Sequence, residues 1–477
     1  MSNIASLPTA RALDHEPVLV ESALTAQAED EFWESRPELR TIRDFARARL
    51  SGPWSTFGYV LARAIAVIPP TVVLPPLAGP VASLNTFVAV VAPSGGGKGA
   101  SDGVAFDLLR TTPRVHVAKP GSGEGIPKEY ALKTREKRGD PLVQKTLRNS
   151  VLFNVSEIDT LAGLGRRSGS TLMSELRAAW SGEDLGFAYS DQEKKLRIER
   201  HRFRMCLVTG VQPGQASALL DEADGGTPQR FLWMPTTDPR RPSDRPDEPK
   251  PLRLPEWGGG GLVVTEPDGE DVERVDLGLI RVDRPVERIE FRELEVPQAT
   301  RDAVELDAQR RLDGAEADEL EGHGILVREK VAAGLMWLNG RCDRITDEDW
   351  ELAGVVKAVS DRTRMQTQAV LEQNARAEAR KRGVAEGLKQ NVVRRVTEED
   401  AVKSAADLVR KHLAKSGGTL RRKQLVSKIP SRRQYLDDAV ERLEEAGVVT
   451  VETTNPGTAN ESYEVTLRDG PEGGEQG

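Results

Sequence analysis

The stretch Val88–Ser101, VAVVAPSGGGKGAS, constrains this chain more than any other. A run of apolar residues leads into three glycines, a lysine and a helix-compatible segment. Continuous apolar runs of this kind suit a parallel strand buried on both faces. Glycines let successive backbone N–H groups turn inward around an anion, and a helix start adds free amides and its positive dipole end. Here Gly95, Gly96 and Gly97 supply the turn, Lys98 a charge that reaches terminal phosphates, and Ala100 onward the helix. Ala92 fills the position where the motif begins with Gly or Ala, so the nucleotide-contacting segment is read as Ala92, Pro93, Ser94, Gly95, Gly96, Gly97, Lys98, Gly99, Ala100 and Ser101. One position departs from the pattern: Gly99 stands where a Ser or Thr hydroxyl normally meets Mg²⁺. The expectation is a surviving backbone cradle for ATP, with Ser101 or a water replacing the missing hydroxyl. A flexible turn with an incidental lysine is the competing reading, and the flanking strand and helix weigh against it.

Later segments test that reading independently. The apolar strand Val151–Val155 ends in Ser156-Glu157-Ile158-Asp159, carboxylates suited to water and magnesium. Glu157 is placed to polarise the attacking water, and Asp159 is the alternative magnesium partner. A further strand, Met205–Thr209, runs into Gly210, Gln212 and Gly214; Gln212 is assigned to sense the γ-phosphate or orient water, with Thr209 as runner-up. Arg230, in TPQRFLWM, precedes an aromatic-rich strand, where an arginine can stabilise charge on a neighbouring subunit's nucleotide or simply form a surface salt bridge. Strands alternating with helical patterns predict an α/β unit with a mainly parallel sheet.

With 477 residues, 38% hydrophobic and 30% charged, the chain has room for two to four globular domains and is not disordered overall. A net charge of -8 excludes a global nucleic-acid signature, so any such surface is local. Cys206 and Cys342 stand far apart with no CxxC or His cluster, which argues against zinc or a disulfide framework and for a reducing cytoplasm. The most apolar region, Tyr59–Val91, is broken by Pro69, Pro70, Pro75, Pro76 and Pro80, so no membrane span is expected. The reading divides the chain into an N-terminal helical region (1–72), the nucleotide core (73–240), a linker with short strands (241–300) opening on the Pro-, Asp- and Arg-rich Pro235–Pro255, a helical lid (301–390), a winged helix (400–467) and a disordered tail (468–477). Within the core, Gly123–Ser150 reads as a charged insertion or helical excursion. Within the lid region, Thr346 opens a capping-box pattern in which Asp349 replaces Glu or Gln.

The winged helix is read from three helical patterns followed by VVTVETT, a glycine turn and SYEVTL. Between Lys411 and Arg433 there is no Asp or Glu, and Arg421, Arg422, Lys423, Lys428, Arg432 and Arg433 form a candidate DNA-binding stretch. Ser431 is expected to cap a helix Arg432–Ala446, since helix starts are where recognition helices meet DNA. A protein-docking role is the alternative. Two weaker basic patches, Lys128–Arg148 and Lys194–Arg202, are diluted by acids or read equally well as solvated surface.

In combination, VAPSGGGKG, SEIDTLAGLG, TGVQPGQ, GTPQRFLWM and ITDEDWELA, in order over Phe32–Arg362, resemble P-loop replication ATPases of phages, plasmids and actinobacterial mobile elements, proteins described as primase-helicase-like and related to hexameric helicases. The resemblance implies a RecA/AAA+-like α/β core with a helical lid over Val327–Val359 and Arg328 as a lid arginine. It also implies ATP and Mg²⁺ as cofactors, DNA as partner, a homo-oligomeric ring such as a hexamer with Arg230 acting across subunits, and a partner primase or polymerase. The function expected is an ATP-dependent DNA motor, helicase or loader in replication; the alternative is a nucleotide-switched DNA-binding regulator. No acidic metal-binding pattern for primer synthesis is present, and primase activity is not expected.

Overall fold

The computed structural model describes residues 25–135, 142–165, 171–186, 196–221, 225–258, 272–276, 281–285, 291–314, 322–454, 456 and 462–468. Residues 469–477 of the expected tail (468–477) lie outside them, as do Lys137, Arg138, Lys194 and Lys195 of the weaker basic patches. Backbone contacts divide the chain into two units, Met1–Asn374 and Ala375–Gly477.

The first unit opens with α1 (Ala26–Ser35), α2 (Pro37–Ala48) and α3 (Pro53–Ala66). Prolines start the second and third helices, where the missing N–H is no loss and the fixed φ suits a first turn. Every residue of α3 is buried, as expected of a helix apolar nearly all round. It packs on four strands of the central sheet and on α2.

That sheet has five strands: β1 (Thr86–Val91), β2 (Val117–Ala118), β3 (Ser150–Val155), β4 (Arg204–Val211) and β5 (Phe231–Pro235). Their order is β5-β1-β4-β3-β2 and every pairing is parallel. All of β1 and β4 is buried, which is why Phe87–Val91 and Met205–Val208 read as apolar runs. Between strands lie α4 (Lys98–Leu108), α5 (Ile158–Gly165) and α6 (Leu172–Ser181). The α/β expectation holds, with β4 inserted between the strand that enters the glycine loop and the strand that ends at Ser156.

Two local expectations fail. Of the two readings of Gly123–Ser150 the helical excursion fails: its described residues hold no long helix but a short one, Ile126–Tyr130, and an antiparallel hairpin of Ala131–Thr134 with Val143–Thr146, as an insertion can. The Pro235–Pro255 stretch is no boundary either. Arg47 pairs with Asp238 at 2.8 Å and Arg240 with Glu29 at 2.7 Å, pinning it to the N-terminal helices. Its Leu252–Leu254 pairs with Leu109–Thr111, and Arg292–Glu293 returns to pair with Val72–Val73.

The helix α7 (Gly324–Leu338) packs against α3. The helix α8 (Asp347–Lys415) begins at the expected capping box: Asp349 N–H donates to Thr346 Oγ1 at 3.3 Å, and Thr346 N–H to Asp349 Oδ2 at 2.8 Å. The second unit contains the end of α8, α9 (Arg422–Lys428), α10 (Leu436–Glu445) and three antiparallel strands, β6 (Thr419–Arg421), β7 (Val449–Thr454) and β8 (Ser462–Leu467), in the order β6-β8-β7. Val409, Leu413, Leu425, Leu436, Val440 and Val465 form its own core. Among the described residues no helix is long and apolar enough to cross a membrane. Cys206 and Cys342 are both free thiols.

Candidate nucleotide site

Lys98 is the first residue of α4, directly after the glycine loop that leaves β1. Gly95 and Gly97 have φ of +73° and +87°, left-handed values that side chains disfavour. No side chain caps the start of α4, so its first amides face the loop without an internal acceptor. Lys98 folds back over the loop, its Nζ donating to the carbonyl oxygens of Ala92 at 3.2 Å and Pro93 at 3.3 Å. These are partners it can exchange for an anion. Pro93, Ser94, Gly95, Gly97, Gly99 and Ala100 are exposed, and Gly96 is half-buried.

Ser101 does not belong to this cradle. It is 1% exposed, and its Oγ meets Ser51 Oγ at 2.9 Å and Ser55 Oγ at 2.8 Å. Its place one turn into α4 directs it at α3, so it cannot substitute for the hydroxyl absent at Gly99. A side chain at Gly99 would meet nothing within 4 Å, so that position is open and offers no oxygen.

The ends of β3 and β4 complete the site. A Cβ on Gly210 would come within 2.2 Å of the Ser156 carbonyl oxygen and within 2.9 Å of Lys98 Cδ. Gly210 therefore lets the lysine stem cross the sheet edge between the two acidic and glutamine-bearing ends. Gln212 Nε2 donates to Glu157 Oε1 at 3.0 Å, joining two residues assigned separately from sequence. Ser156, Glu157 and Asp159 are exposed, and Asp159 lies in the first turn of α5. Thr209, the alternative to Gln212, is wholly buried, and its hydroxyl has no hydrogen-bond partner among the described residues. It faces the interior rather than a ligand.

Two supporting features were not read from sequence. Asn154 donates to Asp102 Oδ2 at 2.7 Å, and Asp102 pairs with Arg63 at 2.9 Å, so β3, α4 and α3 are tied together behind the loop. Gly210 was noted only as a strand terminus; its signal was a glycine inside an otherwise bulky strand, which marks a close approach.

Arg230 sits at the amino end of β5, the opposite edge of the sheet from Lys98. Its guanidinium donates to the carbonyls of Gly225 at 3.1 Å and Gly226 at 2.7 Å and stacks 5.4 Å from the Trp180 ring. Burial pulls its pKa down to about 10. Arg328 donates to the Trp350 carbonyl at 2.8 Å and lies 3.8 Å over that ring. Neither arginine joins Lys98 and Glu157 within one chain.

In the second unit the basic stretch is partly spoken for. Arg422 makes two hydrogen bonds to Asp437, at 2.9 and 2.7 Å, and Arg421 reaches Glu464 at 3.4 Å. Lys423, Lys428, Arg432 and Arg433 have no ion pair among the described residues. Ser431 caps nothing: Pro430–Tyr435 is a 3₁₀ segment, and α10 starts at Leu436. Proline at its first position fits a tight turn, and Arg432 and Arg433 are displayed on that turn before the helix.

The residues fit a nucleotide's phosphates and fit its magnesium poorly. The glycine turn, the uncapped helix and Lys98 match a polyphosphate in charge and donor supply. Sites of this kind hold the metal through a loop Ser or Thr and an acidic strand end. Here the loop hydroxyl is missing at Gly99, Ser101 is buried elsewhere and Glu157 is engaged by Gln212, which leaves Asp159, exposed in the first turn of α5, as the carboxylate open to the metal. Among the described residues no group of three or more His, Cys, Asp or Glu is placed to hold a metal.

No family model and no curated protein matches the chain. Among solved structures, the Aeropyrum pernix ORC1 protein in complex with DNA is similar at 12% identity, covering 80% of this chain and 83% of that one, with a TM-score of 0.15. The architecture here rests on this chain's own strand order.

Proposed function

We propose that the first unit is a P-loop ATPase core and the second a winged helix that binds DNA. Together they form an ATP-dependent DNA motor, helicase-like or loader-like, acting in replication of a phage or mobile element. The observation that carries this reading is Lys98 folded over a left-handed glycine loop beside Gly210, with Glu157 and Gln212 paired at the neighbouring strand ends. The loop amides and Lys98 bind the β- and γ-phosphates. Glu157 takes the proton of the attacking water. Gln212 holds that carboxylate at rest and turns its amide to the γ-phosphate when ATP is present. Asp159, exposed in the first turn of α5, is the carboxylate left to hold magnesium beside the phosphates, and no step is routed through the metal. Arg230 acts across a subunit interface of a ring, and Lys423, Lys428, Arg432 and Arg433 contact phosphates of duplex DNA.

A nucleotide-switched DNA-binding regulator without unwinding is the second reading. The Glu157–Gln212 bond and the missing hydroxyl at Gly99 favour it, since both slow turnover without weakening the cradle. ATP hydrolysis with and without DNA, alongside mass in solution, separates the two. A motor shows DNA-stimulated turnover by an oligomer, and a regulator binds ATP with no stimulation. Loss of ATP binding in Lys98→Ala is required by both; unchanged affinity by calorimetry removes the site.

A further inference from the structure

On the flank of α4, eight residues beyond Lys98, lies a cleft of about 560 Å³ between α2, α4 and the paired segments Leu109–Thr111 and Leu252–Leu254. Its lining includes Phe45, Arg49, Arg63, Phe106, Arg110 and Arg114, together with the carboxylates of Asp107 and Glu248. The charges do not balance. Arg49 takes up both carboxylates, pairing with Glu248 and lying 3.5 Å from Asp107, and Arg63 is held by Asp102 at 2.9 Å. Arg110 and Arg114 have no carboxylate partner among the described residues, and Arg253 stands directly opposite Arg110 in the strand pairing. Like charges facing each other across a strand pair are destabilising unless something of opposite sign sits between them.

Inside this basic cleft is an exposed aromatic ring. Phe106 is 50% exposed although it belongs to a well-packed helix, with Arg63 at 5.3 Å and Arg114 at 5.8 Å from its ring centre. Unpaired guanidiniums beside a ring, in a cavity of nucleotide size, match the two parts of a nucleotide unit: a phosphate for the arginines and a base face for the Phe106–Arg114 surface. A duplex keeps its base faces stacked inside and cannot offer one to a recessed ring. The ATP site is separate, because eight helical residues set Phe106 about 12 Å along the axis from Lys98.

We propose that this cleft binds single-stranded nucleic acid, with backbone phosphates on Arg110 and Arg114 and a base against Phe106. The site is independent of the glycine loop and of the basic stretch in the second unit. The ligand chemistry, a phosphorylated base, is shared by a polynucleotide strand and a free mononucleotide, and we assign the strand because the unpaired arginines extend past the cavity to Arg253.

The test uses the full chain and a fluorescent oligo-dT strand, with excess unlabelled duplex present to occupy duplex-binding surfaces. The double variant Arg110→Glu, Arg114→Glu is expected to weaken binding more than about tenfold and to reduce the salt slope by about 1.4, at roughly 0.7 per lost phosphate contact. Phe106→Ala, which keeps the charges, is expected to cost about fivefold to a hundredfold with the slope unchanged. Both should melt as the parent does and bind ATP with unaltered affinity. Unchanged oligo-dT binding in both variants, or no binding by the parent chain, overturns the proposal. ATP affinity falling in step overturns it by assigning the cleft to the nucleotide of the glycine loop. Competition by dTMP at concentrations matching the oligomer's own affinity overturns it in favour of a free-nucleotide site.

Discussion

At the carboxyl end of the five-stranded sheet, Lys98 lies over its own loop carbonyls and Glu157 rests on Gln212, all within reach of solvent. At the amino end, cations are sealed in and held by neutral groups. Arg204, fully buried, donates to the carbonyls of Ile68, Pro69 and Val72, to Ser83 Oγ and to Asn85 Oδ1. Lys330, also buried, donates to the carbonyls of Asn85 at 2.8 Å and Trp180 at 2.9 Å and sits 3.3 Å over the Trp180 ring. Burial depresses the pKa of both, with Arg204 brought to about 10. The two ends differ in how replaceable their partners are. A charge bound to exposed loop carbonyls can trade them for a ligand. A charge bound to five interior acceptors is structural: Asn85 Oδ1, Ser83 Oγ and the Pro69 carbonyl keep a backbone N–H each without it, but the buried carbonyls of Ile68 and Val72 lose the donor they have.

The sharpest break of this contrast is Arg204→Met. It removes five charge-assisted hydrogen bonds at once and leaves the Ile68 and Val72 carbonyls without that donor in a dry interior, and we expect a stability loss above about 4 kcal/mol by urea denaturation. A loss under about 1 kcal/mol would mean that the amino end is no more fixed than the carboxyl end.

Next in size, Glu157→Gln should lower turnover by about 10² to 10⁴ while ATP still binds and the melting temperature holds. If Asp159→Asn abolishes hydrolysis and Glu157→Gln does not, the two carboxylates exchange roles.

How much of this was legible follows the same division. The loop around Lys98, the strand end at Glu157 and the strand end at Gln212 were all readable, because apolar runs and glycines announce the carboxyl end. The amino end was not. A charged residue beside Arg200 and Arg202 reads as surface, and nothing local to Arg204 says that the Pro-rich connector will bring Ile68, Pro69 and Val72 around it. Lys330 lies in α7, far along the chain from Asn85 and Trp180, whose carbonyls it holds. The Glu157–Gln212 contact was likewise invisible, since it depends on which strands are neighbours. In the second unit, the pattern gave three helices and a hairpin, but a local proline at 430 decided the turn where a serine cap was expected.

A smaller effect separates the ends by pH. Burial, with Arg230, Lys330 and Arg311 adding to it, draws His323 from 6.5 down to about 4. The folded chain therefore disfavours the imidazolium, so this contribution to stability is present above pH 6.5 and is lost as pH falls toward about 4. Glu329, raised from 4.5 to about 7 by burial, works oppositely: its contribution is present below 4.5 and is lost as pH rises toward 7. His323→Gln should flatten the acid limb of denaturation midpoints against pH and leave ATP binding alone. An unaltered limb would place the acid sensitivity elsewhere.

The smallest expected change is the response to chelation. With no hydroxyl at Gly99, where the loop usually meets the metal, EDTA should alter ATP affinity less than about threefold. Gly99→Ser should increase that dependence. A tenfold loss in EDTA for the parent chain would show that metal is held firmly without that hydroxyl.

The burial of α3 bears on where this molecule can be cut. Although the glycine loop starts at Ala92, the helix Pro53–Ala66 is enclosed on every side and supports the underside of the sheet. A chain begun at residue 73, just ahead of the recognisable motif, would leave the faces of β1, β3, β4 and β5 wet and invite aggregation. Limited digestion should spare the helices of Ala26–Ala66 as firmly as the strands themselves, and any exchange of this core between related proteins has to carry the helices ahead of the motif with it.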